Sequence, residues 1–292
     1  MRLFLTTIFI LNSLIGFCQV DLFFPLKNEF NWQSVEKQND ELKKKFIKIN
    51  PTKHKVYYIP PAEELEPNLH IMDFNGDGLD DIIYHGEIGE GKTIIIFINT
   101  GKSFVNIFFG SQDIYKMVFQ NGKVHQLYIK NGGCCCDYIE RNKIYSVDYR
   151  SKLPKINLTS QTLYVIAVYM NDWGGYPDLY VEYPSKYFDK PIKFEVVNDK
   201  CDIRFSPMIN DTTKVWNCVK KLRNGNSLGE IKIGSIGYAL AEEVDSTGRV
   251  WWFVAISPNA EIYNSMYYTE KTKPNTYKMG WISSRFVKII EE

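Results

Sequence analysis

The sequence predicts a mainly β protein: an antiparallel β-domain over residues 56–199, followed by a small barrel over residues 200–292. Three observations carry this. Aromatic residues are abundant, with 19 Tyr, 18 Phe and 6 Trp, and such side chains favour half-buried pleated surfaces. Between Val56 and Val197 the chain breaks into short apolar or alternating runs bounded by turn residues. From about Cys201 the runs are spaced differently, around polar turns such as Asp245-Ser246-Thr247-Gly248, over a length adequate for an independent core.

Residues 1–18 read as a secretory signal. Arg2 supplies the positive end, Leu3 to Phe17 the apolar stretch, and Gly16-Phe17-Cys18 precedes Gln19, where cleavage is expected. That stretch is too short to span a bilayer, and no later segment is long and apolar enough, so no transmembrane segment is expected in the mature chain. Lipoprotein anchoring at Cys18 would want a small residue before it, where Phe17 stands. The expected location is an oxidising one, periplasmic or extracellular.

Residues 19–55 hold the one expected helix, Ser34 to Asn50. Val35, Leu42, Phe46 and Ile49 mark its apolar face, Ser34 caps its start and Pro51 ends it. Lys43, Lys44, Lys45 and Lys48 then form a solvated face near the C-terminus, where cations suit the helix dipole. The formal net charge is +1 and no other basic cluster is interleaved with aromatics, so no nucleic-acid partner is expected.

The stretch from His70 to Tyr84 contains Asp73-Phe74-Asn75-Gly76-Asp77-Gly78-Leu79-Asp80-Asp81. Oxygen-bearing side chains fall at every second position, with Gly where the chain must bend. Ca²⁺ takes about six to eight oxygens, and alternating carboxylates make a cage for it. The expected ligands are Asp73, Asn75, Asp77, the carbonyl of Leu79, and Asp81. An EF-hand would need a Glu at the twelfth position and flanking helices. The twelfth residue is Tyr84, and Asp81-Ile82-Ile83-Tyr84-His85-Gly86 is β-prone. Asp81 is therefore the expected closing ligand, with Asp80 turned to solvent or a neighbouring backbone. The bland alternative is a solvated turn without metal.

Expected strands follow at Val56–Ile59, Ile82–His85, Thr93–Ile98, Phe104–Phe109, Tyr115–Phe119, Val124–Lys130, Lys143–Tyr149, Thr162–Tyr169, Leu179–Tyr183 and Ile192–Val197. Turns fall at Asn99-Thr100-Gly101-Lys102, Gln120-Asn121-Gly122-Lys123 and Asn131-Gly132-Gly133, and Asn-Gly between alternating runs is a strong hairpin signal. In the tail the runs are Glu230–Ile233, Gly237–Glu243, Val250–Ile256 and Trp281–Phe286. The acidic loop has no second copy, which argues against a long repeat array.

Two stretches resemble known families. The Asp73–Asp81 loop, followed by Ile94-Ile95-Ile96-Phe97-Ile98-Asn99-Thr100-Gly101-Lys102-Ser103-Phe104, resembles the FG-GAP/VCBS repeat over about residues 68–110. That resemblance implies a β-propeller-like blade with structural Ca²⁺ between two strands. Gly280-Trp281-Ile282-Ser283-Ser284-Arg285-Phe286-Val287, with Asp202–Pro207 and Val250–Ala255, resembles the bacterial SH3-like (SH3b) domain over about 200–290. It carries inserts near Trp216–Asn226 and Asn259–Tyr277. It implies a binding or spacer module, with peptidoglycan or a surface protein as partner. Trp251, Trp252 and Trp281 are then core or groove-lining residues.

Cys134, Cys135 and Cys136 are the second unusual feature. Adjacent Cα atoms lie about 3.8 Å apart, below the usual disulfide range, so these cysteines would seek distant partners. Cys201 and Cys218 could close a loop worth about 3 kcal/mol. Structural disulfides are the expected state, and a thiolate site for Cu(I) or Zn²⁺ is the alternative, with His125 a poor fourth ligand. His54, His70, His85 and His125 fall in no hydrolase or metal-site spacing. His70 and His85 flank the acidic loop, where strand-surface roles are expected. The loop Asp172-Trp173-Gly174-Gly175-Tyr176-Pro177-Asp178 is a packed turn or a sugar-stacking surface. The functional expectation is an exported, calcium-binding, non-catalytic binding or structural protein. The competing class is a cell-envelope hydrolase or thiol enzyme using one of Cys134–Cys136 with His125 or His85.

Overall fold

The computed structural model describes residues 30–49, 62–88, 91–131, 139–165, 167–168, 179–180, 183–212, 214–216, 222–267 and 275–291. The expected signal, the strand at Val56–Ile59, the Cys134–Cys136 cluster, the Asp172–Asp178 loop and Cys218 lie outside these residues. Within them the protein is mainly β, in open sheets. None of the described helices is long and apolar enough to cross a membrane.

The helix begins later than its apolar spacing suggests. A 3₁₀ turn covers Trp32–Ser34, and α1 runs over Asp40–Ile49. Asn39 caps it, accepting the Leu42 N–H on Oδ1 at 3.1 Å, and Asp40 and Glu41 fill the first turn, where the dipole favours acids. The residues before it stay extended because the Lys37 N–H donates to the Ile71 carbonyl at 2.8 Å. Val35 packs into the core between the sheets instead of lying on a helix face. Of the basic run, Lys44, Lys45 and Lys48 are exposed, while Lys43 pairs with Glu36. A second, one-turn helix, α2 (Ala62–Leu65), precedes the first strand.

Strands β1 (Leu69–Met72), β2 (Asp81–Ile88), β3 (Gly91–Asn99) and β4 (Phe104–Gly110) form an antiparallel sheet in chain order. One face carries Leu69, Ile82, Tyr84, Ile95 and Phe97, covered by Phe46 of α1 and Leu65 of α2. The other carries Met72, Ile83, Ile94, Ile96 and Ile98, packed on Ile114, Leu127 and Ile129 of a second sheet. Burial on both faces explains why Ile94 to Ile98 is an unbroken apolar run without alternation.

The second sheet opens with β5 (Asp113–Gln120), β6 (Lys123–Asn131), β7 (Ile139–Asp148) and β8 (Lys155–Val165). The β5–β6 turn has φ of 53° at Asn121 and 75° at Gly122, the left-handed pair that a two-residue hairpin needs. β8 starts at Lys155, ahead of the expected Thr162. A two-residue ladder joins β9 (Ala167–Val168) to β10 (Leu179–Tyr180).

Next in the chain come β11 (Ile192–Val196), β12 (Cys201–Arg204), β13 (Lys214–Trp216), β14 (Leu222–Asn224) and β15 (Ser227–Ile231). The remainder are β16 (Ile236–Val244), β17 (Val250–Ile256), β18 (Ile262–Tyr263), β19 (Thr276–Ser283) and β20 (Val287–Ile289). The insert expected near Trp216–Asn226 overlaps the antiparallel pairing of β13 with β14.

The tail strands do not close into the expected barrel among the described residues. They continue the second sheet in the order β20-β11-β16-β17-β19-β8-β7-β6-β5, with β12, β15 and β18 alongside, twelve strands in all. Closure is pre-empted at the edge of β19, which β12 shares with β8: β8 pairs there in parallel, Met279 opposite Tyr164. β11, from before residue 200, lies between β16 and β20. Gly280 is required at the β12 crossing, since a Cβ there would stand 2.8 Å from the Arg204 carbonyl oxygen. Trp251, Phe253 and Trp281 fill one face of the tail sheet, and Trp252, Val254, Ile256 and Ile282 fill the other. Cys201 packs in the latter cluster with a free thiol. Burial pushes the Cys201 thiol up to about 12.

Candidate functional site

Gly76 and Gly78, at φ of 70° and 84°, turn the acidic loop so that its amides converge on Asp73. Asp73 Oδ1 accepts the N–H of Gly76 at 2.7 Å and of Asp77 at 3.1 Å, and Oδ2 accepts that of Gly78 at 2.9 Å. Asp77 accepts the Leu79 N–H on Oδ1 at 2.9 Å and the Asn75 amide on Oδ2 at 2.9 Å. The loop is anchored by Phe74, which is fully buried between the sheets. Its carbonyl accepts the Val124 N–H at 3.1 Å and the Tyr149 hydroxyl at 3.2 Å.

Asp81 closes the loop from beneath. It is 0% exposed and accepts the Phe74 N–H on Oδ2 and the Asn99 N–H on Oδ1, each at 2.8 Å. Burial pushes its carboxyl up to about 7, and the charges of Asp77 and Asp73 act in the same direction, against the two N–H bonds. No cationic side chain pairs with it among the described residues. Asp80 differs from its expected role. It accepts Lys37 Nζ at 2.7 Å and the Asn39 amide at 3.0 Å, tying the loop to the cap of α1. The Lys37 bond holds its carboxyl below the usual range.

Asp73, Asn75, Asp77, Leu79 and Asp81 thus share one loop, though their carboxylates are turned to backbone N–H groups. Among the described residues no three His, Cys, Asp or Glu side chains are gathered as a ligand set. In chemistry the donors fit a hard cation: oxygen only, at alternate positions, with three carboxylates.

A second feature is not legible as a site from the sequence. His70 and His85 lie on one face of β1 and β2, because His70 is in register with Ile83, two residues from His85. Trp32 from the 3₁₀ turn stacks on His70 at 3.8 Å and 4° and donates Nε1–H to His85 Nδ1 at 3.0 Å. Nδ1 being an acceptor, the ring proton sits on Nε2 and is donated to Asp113 Oδ1 at 2.6 Å. Lys92 pairs with Asp113 Oδ2 at 3.2 Å. His70 Nδ1 faces Glu36 Oε2 at 3.2 Å, and Glu36 Oε1 faces Lys43 at the same distance. Burial lowers the His70 pKa, so the neutral ring donates Nδ1–H to Glu36. Trp32, His70, His85, Lys92 and Asp113 border a cavity of about 550 Å³. Only the same-face placement of the two histidines is readable locally; Trp32, Glu36, Lys92 and Asp113 arrive from distant positions.

The tail tryptophans are core residues. Trp251 and Trp281 are 1% exposed and Trp252 8%, with Trp251 donating to Asp245 at 2.9 Å and Trp252 to Glu242 at 3.0 Å. No family model, curated protein or solved structure matches the chain.

Proposed function

We propose that the protein is an exported, calcium-stabilised β-protein, a binding or structural module in which the Asp73–Asp81 loop clasps β1 to β2. The buried Asp81 carboxylate carries this reading: its acidity is suppressed to about 7 beside two further carboxylates, with backbone amides as its partners. A divalent cation offsets such a concentration of negative charge better than N–H dipoles do. Asp73, Asn75, Asp77, the Leu79 carbonyl and Asp81 would hold it, and calcium would supply charge neutralisation and a fixed loop geometry. Export rests on the signal-like residues 1–18. The blade-like unit and the SH3-like tail belong to the same reading, with peptidoglycan or a surface protein as the partner of the tail.

Extracellular calcium modules bind at about 10⁻⁴–10⁻³ M, so the test is a thermal melt in millimolar calcium and in chelator. Chelation lowers the melting temperature of the native chain and leaves that of Asp77→Ala unmoved. Identical melts of the native chain in both buffers would sink the reading. A pull-down on purified cell wall tests the partner.

A further inference from the structure

We infer that the cavity over β1 and β2 is a binding site for an organic cation, an ammonium or guanidinium group carried on an apolar body. Its volume of about 550 Å³ falls within the roughly 300–1,000 Å³ of small-molecule sites and far exceeds what a bare ion needs. Its donors are engaged. Trp32 Nε1–H is held by His85, and the His85 ring proton by Asp113. The Asn68 amide donates to the Glu64 carbonyl at 2.8 Å, and Lys92 faces Asp113.

Three of its side-chain acceptors, on His70, Glu64 and Glu87, are not engaged among the described residues, unlike those of His85 and Asp113. With Nδ1–H of His70 given to Glu36, the second ring nitrogen holds a lone pair on a side chain that is 14% exposed. The carboxylates of Glu64 and Glu87, both in the cavity lining, have no ion-pair partner among the described residues. Glu87 stands opposite Lys92 across β2 and β3, and Glu64 lies one helical turn before Asn68, whose amide it accepts on its carbonyl. The lining sets the carboxylates of Glu64, Glu87 and Asp113 against the ammonium of Lys92. Phe30, Trp32 and Pro67 supply the apolar wall, and aromatic rings attract cations. An anion would be repelled here, and a neutral apolar molecule would leave the acceptors unused.

The test is calorimetric titration of the full exported chain with agmatine, against hexanoate and hexanol as anionic and neutral probes and zinc chloride as a metal probe. Agmatine is expected to bind and to shift Trp fluorescence, hexanoate and hexanol to bind at least about tenfold more weakly. Glu64 and Glu87 are both exposed, so the double variant Glu64→Gln/Glu87→Gln should fold; it is expected to lose about tenfold in agmatine affinity. Asp77→Ala is expected to bind agmatine like the native chain, which separates this site from the calcium clasp. Equal binding of agmatine and hexanoate, undiminished binding by the double variant, or binding of zinc alone would each overturn the inference.

Discussion

Two aspartates in this protein gather donors in tight loops, and their acidities move in opposite directions. Asp245 accepts the Thr247 hydroxyl at 2.6 Å and the Trp251 indole at 2.9 Å. It also accepts the N–H groups of Thr247 at 2.8 Å and Arg249 at 3.1 Å. These bonds, the Thr247 and Trp251 side chains foremost, hold its carboxyl well below the usual range. Asp81 accepts two N–H groups beneath a closed loop, and burial pushes it up to about 7. Donors favour the anion and desolvation opposes it. In the half-exposed β16–β17 turn the donors win. Under the acidic loop burial wins.

The largest expected effect tests whether the acidic loop is part of the core. Phe74→Ala should lower the unfolding free energy by about 3–5 kcal/mol in a denaturant titration, the range for a buried aromatic. A loss under about 1 kcal/mol would mean the loop is seated independently of the sheets.

The pH profile sharpens the contrast between the two acids. Asp81 has a raised folded-state pKa, so in calcium-free buffer its contribution is full below its unfolded value and is lost as pH rises through about 7. Each tenfold change in acidity between the folded and unfolded chain corresponds to about 1.4 kcal/mol. Asp81→Asn should flatten the melting profile between about pH 4 and 7. Asp245 has a depressed pKa, so its contribution is present above its unfolded value and is lost as pH falls through the folded one. Asp245→Asn should therefore destabilise at neutral pH and flatten only the acid limb. If the two variants give superimposable pH profiles, the contrast is broken.

The smallest effect concerns the tether. Tyr149 donates from one hydroxyl to the carbonyls of Phe74 and of Val124, at 3.2 and 2.7 Å. Tyr149→Phe should cost about 1 kcal/mol and weaken the calcium-dependent rise in melting temperature. An unchanged denaturation midpoint would show that Phe74 alone anchors the loop.

Much of this is legible locally. The Asn121-Gly122 hairpin, the runs that become β2 to β6 and the alternating oxygens from Asp73 to Asp81 are short-range patterns, set by backbone dihedrals and side-chain period. Spacing alone misplaces the helix start because Ser34 and Asn39 are both competent caps; the choice falls to the backbone bond between Lys37 and Ile71, a partner that spacing does not reveal. The tail reads as a closed barrel because nothing in Thr276–Ser283 announces a parallel partner at Gln161–Tyr164.

The sequence by itself determined the β class, the turns and the oxygen-only chemistry of the acidic loop, since these depend on neighbours a few residues apart. Tertiary structure alone decided the burial of Asp81 beneath Asn99 and Phe74. It also decided the meeting of Trp32, His70, His85 and Asp113 around one cavity, and the sinking of Trp251, Trp252 and Trp281 into the core. Desolvation and charge depend on what surrounds a group in space, and residues 53 positions apart, such as Trp32 and His85, become neighbours only when the sheets pack.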